Sequence, residues 1–373
     1  MTGQNRGNGN GHGSDLPAGT KRLGFFTRLL DRVGAAERYR LAAEQIVHAE
    51  RCGFDSAWVA QHHFDEAEGG LPAPLVFLAT LANQTTRIRL GTGVITLPLE
   101  HPVRVAEDTA VLDTLLEGRL EVGVGTGGTP SSFAAFGHDS AHRGAIFADH
   151  LRTLLGALAG EAIGGTENRL YPDGRQLVER IWQATFSADG GHWAGRGGHG
   201  LMLSRTQPRK PEAPTAPLAD IQHPIIDAYL AALPSGRPPR IMASRSLFVA
   251  DSRSDARRLA EAGLRRALGR FKSSGHILRG DTLDDLIATF DVHVGTPEDV
   301  IASLQADSIL PRVTDLVFQV HSIDPPPAFT LRSIELTAER VAPALGWAGP
   351  AVAKPGDGGI AGPPQMRSSP SAN

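Results

Sequence analysis

Residues 91–128 constrain the fold of this chain more than any other stretch, and they read GTGVITLPLEHPVRVAEDTAVLDTLLEGRLEVGVGTGG. Two short apolar runs, 88–95 and 120–125, have the length and composition of buried strands. Between them apolar residues recur at helical spacing until Gly118, a residue type that often ends a helix. The stretch therefore predicts a strand–helix–strand unit whose glycine-rich strand ends leave room for a ligand.

The same alternation continues through the middle of the chain. Strands are predicted at 23–27, 56–60, 88–95, 120–125, 180–186, 200–204, 240–249 and 314–320. Helical spacing marks the segments 37–51, 74–83, 105–116, 147–158, 254–268 and 331–345. A Pro-rich insertion is expected at 206–224. The secondary structure of 272–291 is ambiguous from the sequence pattern. Eight strands that alternate with helical segments predict a (β/α)8 TIM barrel, in which chemistry lies at the C-terminal ends of the strands.

Composition narrows the class of protein further. Of 373 residues, 41% are hydrophobic, which is enough for a large core, and the net charge of -3 gives no reason to expect nucleic acid as a partner. We expect disordered tails at 1–21 and 347–373 around one barrel domain at 22–346. No apolar run has the length of a membrane helix. The single cysteine, Cys52, fits a reducing cytoplasm and a buried, inert thiol.

A histidine pair, His62-His63, follows the second predicted strand. Adjacent strand residues point to opposite sides, so one imidazole can face the barrel mouth while the other packs away from it. An imidazole at the mouth suits proton transfer near neutral pH, whereas the alternative is two hydrogen-bonded loop histidines. No second cluster at another strand end completes a metal site, so none is predicted.

Two glycine-rich turns are candidates for binding phosphate. Residues 123–128 match G-x-G-x-x-G after a strand, but a dinucleotide fold needs a helix directly afterwards, and here Thr129-Pro130 follows. Ser187-Ala188-Asp189-Gly190-Gly191 follows the fifth strand, and a serine with two glycines at a helix start can present N–H groups and a hydroxyl to an anion. The same sequence is also an ordinary turn.

These segments together resemble the bacterial luciferase-like, flavin-utilising monooxygenases. The resemblance covers about 23–345 and rests on AERCGFDSAWVAQHHF, TGVITLPLEHPVRVAEDTAVLDTLLEGRLEVGVGTGG, ATFSADGGHWAGRGGHGLMLS and VGTPEDVI. It implies that reduced FMN binds in the barrel and reacts with O2 to a flavin hydroperoxide, which oxygenates a small organic substrate. It also implies a separate flavin reductase as a partner, and a homodimer formed through 74–83 and 103–117.

The resemblance assigns site residues as well. His62 aligns with the luciferases' catalytic histidine, which assists proton transfer. A non-proline cis peptide under the flavin ring would be Gly93–Val94, and the phosphate loop aligns with Ser187, Gly190 and Gly191. Thr126 stands where luciferases have an arginine near the phosphate.

This chain also departs from the luciferases. Gln61 replaces a glutamate and Gly125 replaces a reactive cysteine, which argues against light emission from a long-chain aldehyde. The insertion at 207–224 falls where relatives carry a substrate lid. Arg205 and Arg209 there are either anion ligands or solvated surface charges. A deazaflavin-dependent dehydrogenase or reductase, or a non-catalytic flavin-binding protein, on the same barrel are the alternative functions.

Overall fold

The chain forms a closed ring of parallel strands surrounded by helices. The computed structural model describes residues 21–273 and 277–347. Within them the ten strands are β1 (Arg22–Thr27), β2 (Ser56–Val59), β3 (Arg89–Thr92), β4 (Ile95–Thr96), β5 (Leu120–Gly125), β6 (Ile181–Ala184), β7 (Gly200–Leu203), β8 (Ile241–Val249), β9 (Val292–Gly295) and β10 (Asp315–Gln319). Eight of them close the barrel in the order β1-β2-β3-β5-β6-β7-β8-β10, because β10 pairs with both β8 and β1. The predicted (β/α)8 TIM barrel is confirmed.

Helices cover the outside of the ring. They are α1 (Ala35–Arg51), α2 (Pro74–Ala79), α3 (Pro102–Leu115), α4 (Pro130–Ala135), α5 (Arg143–Leu158), α6 (Arg175–Val178), α7 (Ala188–Arg196), α8 (Leu218–Ala232), α9 (Arg253–Ser273), α10 (Leu283–Thr289), α11 (Pro297–Gln305), α12 (Pro327–Leu336) and α13 (Ala342–Ala344). Along the chain, at least one helix separates each barrel strand from the next. Such a connection is long enough for the chain to cross back and add the next strand in parallel.

Two tryptophans fill the centre of the barrel. The rings of Trp58 on β2 and Trp182 on β6 meet edge to face, with centroids 5.9 Å apart. Each ring lies over a glycine of the neighbouring strand: a Cβ atom at Gly91 would come within 2.3 Å of Trp58, and one at Gly200 within 2.2 Å of Trp182. Gly91 therefore makes room for an indole, and our expectation that it leaves room for a ligand is wrong.

The third predicted strand is interrupted. The run 88–95 divides into β3 and β4, and the Gly93–Val94 peptide bond between them is cis, as the resemblance implied. β4 pairs with β5 beyond the break, with Ile95 opposite Val124. Thr92 holds the two strands together, because its hydroxyl donates to the carbonyl of Gly123 and accepts from its N–H, both at 2.9 Å.

Three boundaries differ from the sequence prediction. The Pro-rich insertion is irregular as far as Pro217, but its last part is helical, because α8 begins at Leu218 and contains Pro224 in its interior. The ambiguous region 272–291 holds the end of α9 and α10, and β9 follows it as an additional strand on β8. Trp347, assigned to the C-terminal tail, is buried against Phe318. The remainder of both predicted tails lies outside the described residues, apart from Lys21.

Candidate active site at the C-terminal ends of the strands

A cavity of about 490 Å³ opens at the C-terminal ends of the barrel strands. This is a usual size for a small-molecule site, and the position is where barrel enzymes place their chemistry. Its floor is apolar and comes from six strands or strand ends: Phe26, Val94, Ala184, Met202, Met242 and Val317. Its rim is polar, and it includes His62, Glu68 and several arginines. The cavity therefore suits a flat apolar ring with polar groups at its edge.

His62 lies on the cavity wall, as predicted for one member of the histidine pair. Its Nδ1 atom is 3.5 Å from Oε2 of Glu68, which belongs to a single 3-10 turn, Glu66–Glu68. The same carboxylate oxygen accepts a hydrogen bond from Nη2 of Arg28 at 3.1 Å. Glu68 thus connects the imidazole at the cavity to Arg28, which follows the neighbouring strand β1.

His63 points away from the cavity into an aromatic cluster. Its ring meets Phe136 edge to face, with centroids 4.9 Å apart, and lies 5.8 Å from Phe64. Its Nε2 atom is buried and has no hydrogen-bond partner among the described residues, and burial lowers the pKa of His63. A neutral ring is therefore favoured at this position, which is the packing role expected of the second histidine.

Gln61, which replaces the luciferase glutamate, has a structural role. Its Oε1 accepts from the N–H of Thr96 at 2.6 Å, and its Nε2 donates to the carbonyl of Pro72 and to Oε1 of Glu100. The amide thereby ties the end of β2 to β4. The donation from Gln61 partly offsets burial, which raises the pKa of Glu100.

Gly93 and Val94 both line the cavity floor. A Cβ atom at Gly93 would lie 2.8 Å from Cε2 of Phe26, so a larger residue would displace this aromatic ring. The N–H of Gly93 donates to the carbonyl of Val59 at 2.8 Å, which fixes the segment to β2. The two predicted ring-binding residues are thus together with Phe26 on one surface.

The predicted phosphate-binding residues lie beyond the cavity floor, next to Ala184 and Phe186. Ser187 is the N-cap of α7, where its hydroxyl accepts from the N–H of Gly190 at 3.1 Å. Gly190 and Gly191 permit close packing: a Cβ atom at Gly190 would be 1.9 Å from the hydroxyl of Thr185, and one at Gly191 2.5 Å from the carbonyl of Ile225. Both glycines therefore have a packing reason to be small, whether or not a phosphate binds.

Thr126 lies at the end of β5 and is partly buried. Its hydroxyl contacts the carbonyl of Gly127 at 3.4 Å. Gly127 has a φ of 69°, and a Cβ atom there would approach the Thr96 side chain to 2.4 Å. A glycine is thus required at position 127 by the backbone conformation and by the packing against β4. The helix that follows this loop does not begin before Pro130.

Two further polar residues belong to the cavity. Gln319, which the sequence did not single out, lies at the end of β10 and donates from Nε2 to the hydroxyl of Ser244 at 2.9 Å, but its Oε1 is buried without a partner among the described residues. Arg205, which the sequence left as either an anion ligand or a solvated surface charge, is only 4% exposed and lies on the cavity wall. Their positions at strand ends were the available signal, since side chains there converge on the barrel mouth.

Other features bear on the class of protein. Residues 21–273 and 277–347 contain no group of three or more His, Cys, Asp or Glu side chains placed to bind a metal ion. No described helix has both the length and the apolar character needed to cross a bilayer. Cys52 is half-buried, and burial raises the pKa of its thiol to about 11, so the thiolate is scarce at neutral pH.

The fold and the cavity define a (β/α)8 barrel with a small-molecule site at its C-terminal face. The family model described as luciferase-like monooxygenase matches residues 22–308, and the chain belongs to this family. A 4-hydroxyprotoasukamycin monooxygenase of Streptomyces nodosus subsp. asukaensis is 39% identical over 112 residues, 30% of each chain. The alkanal monooxygenase alpha chain of the Kryptophanaron alfredi symbiont is 30% identical over 164 residues, 42% of this chain and 46% of that one. The chain thus spans less than half the length of these two relatives.

Solved structures agree on the architecture. The monooxygenase RslO1 from Streptomyces bottropensis superposes with a TM-score of 0.70 at 28% identity, covering 87% of this chain and 99% of that one. The oxygenating constituent of 3,6-diketocamphane monooxygenase from Pseudomonas putida, solved with FMN, gives a TM-score of 0.70 over 87% and 98% of the two chains. A coenzyme F420-dependent reductase from Methanopyrus kandleri gives 0.63 over 87% and 99%. At 19% and 17% identity, the last two show a shared fold alone.

Proposed function

We propose that this protein is an FMN-dependent monooxygenase that oxygenates a small organic substrate. The observation that carries the proposal is the 490 Å³ cavity in a luciferase-like barrel, with His62 on its wall and Gly93, Val94 and Phe26 forming an apolar floor. Apolar surfaces with a few polar groups at the edge are typical of cofactor sites. The FMN-containing relative on the same fold supports the choice of cofactor.

The residues present fit a flavin. The floor around Val94 would hold the isoalloxazine ring, and the buried, unpartnered Oε1 of Gln319 would accept from a ring N–H. Ser187, Gly190, Gly191 and Thr126 would hold the phosphate next to the start of α7, where the helix dipole favours an anion. The distance along the chain between Ala184 on the floor and Ser187 is short enough for one ligand to reach both.

His62 would move the proton. Reduced FMN, once bound, would supply the two electrons with which one atom of O2 enters the substrate and the other leaves as water. The Glu68 carboxylate beside Nδ1 favours a proton on that nitrogen, which orients the ring and leaves Nε2 as the position that exchanges a proton with the reacting groups. Arg28 in turn fixes the Glu68 carboxylate.

We infer the partners of the protein from its resemblance to the same family. A separate flavin reductase would supply reduced FMN. A reducing cytoplasm would suit this chain, whose single cysteine, Cys52, has an inert thiol. A homodimer through α2 and α3 is supported by Val76, Val111 and Leu115, which are 70%, 47% and 55% exposed on these helices. Exposed apolar residues on adjacent helices are a mark of an interface. A monomer in solution scattering would remove this part of the proposal.

Oxygen uptake tests the reaction. Chemically reduced FMN and ¹⁸O2 would be mixed with the full-length protein and with aldehydes, ketones, sulfonates or polycyclic compounds. We expect one substrate class to acquire a single ¹⁸O atom per molecule, with the second atom recovered as water. Substrate oxidation without label, or hydride transfer from reduced F420 instead, would favour the deazaflavin-dependent dehydrogenase or reductase. Flavin binding with no product in any class would favour a non-catalytic flavin-binding protein.

A further inference from the structure

Arg205 is a buried cation on the wall of the cavity, and among the described residues it has no hydrogen-bond or ion-pair partner. It follows β7 directly, and its side chain is 4% exposed. Its Nη1 atom is fully buried, and the guanidinium makes no hydrogen bond and no ion pair with the other residues that the structure describes. Buried arginines are normally paired, because a charge removed from water is costly unless another group compensates it. The missing partner is therefore the feature to explain.

The other arginines of the cavity have partners. Arg209 donates to Oδ2 of Asp291 and to the carbonyls of Gln207 and Ala216. Arg28 pairs with Glu68, and Arg279 donates to the carbonyl of Thr215. Arg205 is thus the arginine of this wall whose donors remain available to a ligand.

The charge of the cavity favours an anion. Its wall contains four arginines but only two carboxylates, those of Glu68 and Asp291. A cleft with an excess of one sign and low-dielectric walls concentrates ligands of the opposite sign. Burial, and to a lesser extent Arg28, lower the pKa of Arg205 to about 9, so the group remains protonated at neutral pH.

The charged groups around Arg205 separate it from the proposed phosphate site. Arg28 follows β1, Asp324 follows β10, and Asp291 precedes β9. Ser187, in contrast, follows β6 and begins α7. The carboxylate of Asp324 binds Nδ1 of His321, and it acts on Arg205 through charge alone. The charged groups that act on the Arg205 guanidinium thus belong to segments other than the one that begins α7.

We propose that Arg205 binds a carboxylate, or a comparable acidic group, of the organic substrate. The neighbouring wall provides an apolar surface for the body of such a molecule through Phe186, Phe271 and Phe290. An arginine can bind a carboxylate through two parallel N–H···O bonds, which fixes orientation as well as charge. The substrate class is thus an aromatic or alicyclic organic acid. This assignment of a substrate rests on the proposed monooxygenase function.

Binding of a matched pair of probes tests the subsite without turnover. The full-length protein, loaded with oxidised FMN, is titrated calorimetrically with 1-naphthoate and with the neutral 1-naphthamide. We expect naphthoate to bind about tenfold tighter or more, as for a charge-assisted hydrogen bond. The Arg205→Met variant should lose this preference, Arg205→Lys should keep part of it, and Arg196→Met, on the exposed end of α7, should keep all of it.

The possible results distinguish a substrate carboxylate from the flavin phosphate as the ligand of Arg205. They also distinguish a failure of the Arg205 subsite from a failure of the proposed FMN-dependent function. Equal binding of the two probes by the unsubstituted protein would overturn the subsite. So would an Arg205→Met variant that loses affinity for FMN but not for riboflavin, because Arg205 would then bind the flavin phosphate. A preference for naphthoate in a protein that binds no flavin would support the subsite and contradict the proposed function. Removal of an unpaired buried charge should also raise the melting temperature of the ligand-free Arg205→Met variant, which checks that it folds.

Discussion

The Nδ1 atom of His62 lies 3.5 Å from the Oε2 atom of Glu68, at the edge of the cavity above the barrel. The contact helps to orient the imidazole on the cavity wall. Proton transfer needs an acid or base that is also held in the correct position. The contact between His62 and Glu68 is therefore central to the proposed chemistry.

Substitution of His62 by alanine should reduce turnover by about 10²- to 10⁴-fold, the usual contribution of a general acid or base. Affinity for FMN should change by less than about threefold, since the apolar floor would provide most of the ring contacts. The measurement compares product formation with fluorescence titration of FMN. His63→Ala is the matched control, because that ring packs on Phe136 outside the cavity. Equal losses of turnover and binding in His62→Ala would mean that the residue is structural.

Ser187→Ala should weaken binding of FMN while leaving riboflavin unaffected. The hydroxyl caps α7 by accepting from Gly190, and a phosphate at this helix start would be held by the same groups. Loss of a charged hydrogen bond predicts about a tenfold increase in the Kd for FMN. Titration with both flavins measures this directly. An equal effect on riboflavin would place the phosphate elsewhere.

Gly91→Ala should destabilise the barrel by about 1–3 kcal/mol, because a Cβ atom would lie 2.3 Å from the Trp58 ring and overpacking of a full core has this cost. The measurement is the free energy of unfolding in urea. Gly144→Ala, near the exposed start of α5, has nothing within 4 Å of the new Cβ atom and should change stability by less than about 1 kcal/mol. A neutral Gly91→Ala would show that the tryptophan pair can shift at little cost.

Stability should fall between pH 7.5 and 5 through His199. Burial, together with Arg240 and Arg237, lowers the pKa of His199 to about 4, and its Nδ1 lies 2.6 Å from Nε2 of Gln183. The unfolded chain therefore binds a proton below about pH 6.5 that the folded protein does not bind until about pH 4. In this window the histidine contributes a loss of about 2 kcal/mol by pH 5. Urea unfolding of His199→Gln at both pH values should show a smaller loss, and an identical loss would contradict this assignment.

The sequence predicts the barrel well because its strands are short apolar runs separated by helical spacing. It predicts α8 poorly, since Pro224 lies inside the helix and a proline normally interrupts one. The helix forms nonetheless where it packs closely on α7, at Gly191. That contact joins residues far apart in sequence, and no local pattern contains it.

The sequence predicts some residues of the site and not others, because part of the site depends on contacts between segments that are far apart in the chain. His62 and the Gly93–Val94 segment are identified by their position at strand ends and by the resemblance. For Arg205 the sequence leaves both an anion ligand and a surface charge open, because arginines are mostly exposed and the sequence near it is rich in charged residues and proline. In the structure Arg205 is buried and interacts electrostatically with Arg28 and Asp324, which follow β1 and β10, and only the closed barrel brings these segments together.

A comparison of the two candidate cofactors tests the proposed function most directly. The full-length protein is titrated with FMN and, separately, with coenzyme F420, and cofactor fluorescence is followed to saturation. We expect one FMN to bind per chain, at least about tenfold more tightly than F420. Tighter binding of F420, or no saturable binding of FMN, would contradict an FMN-dependent function.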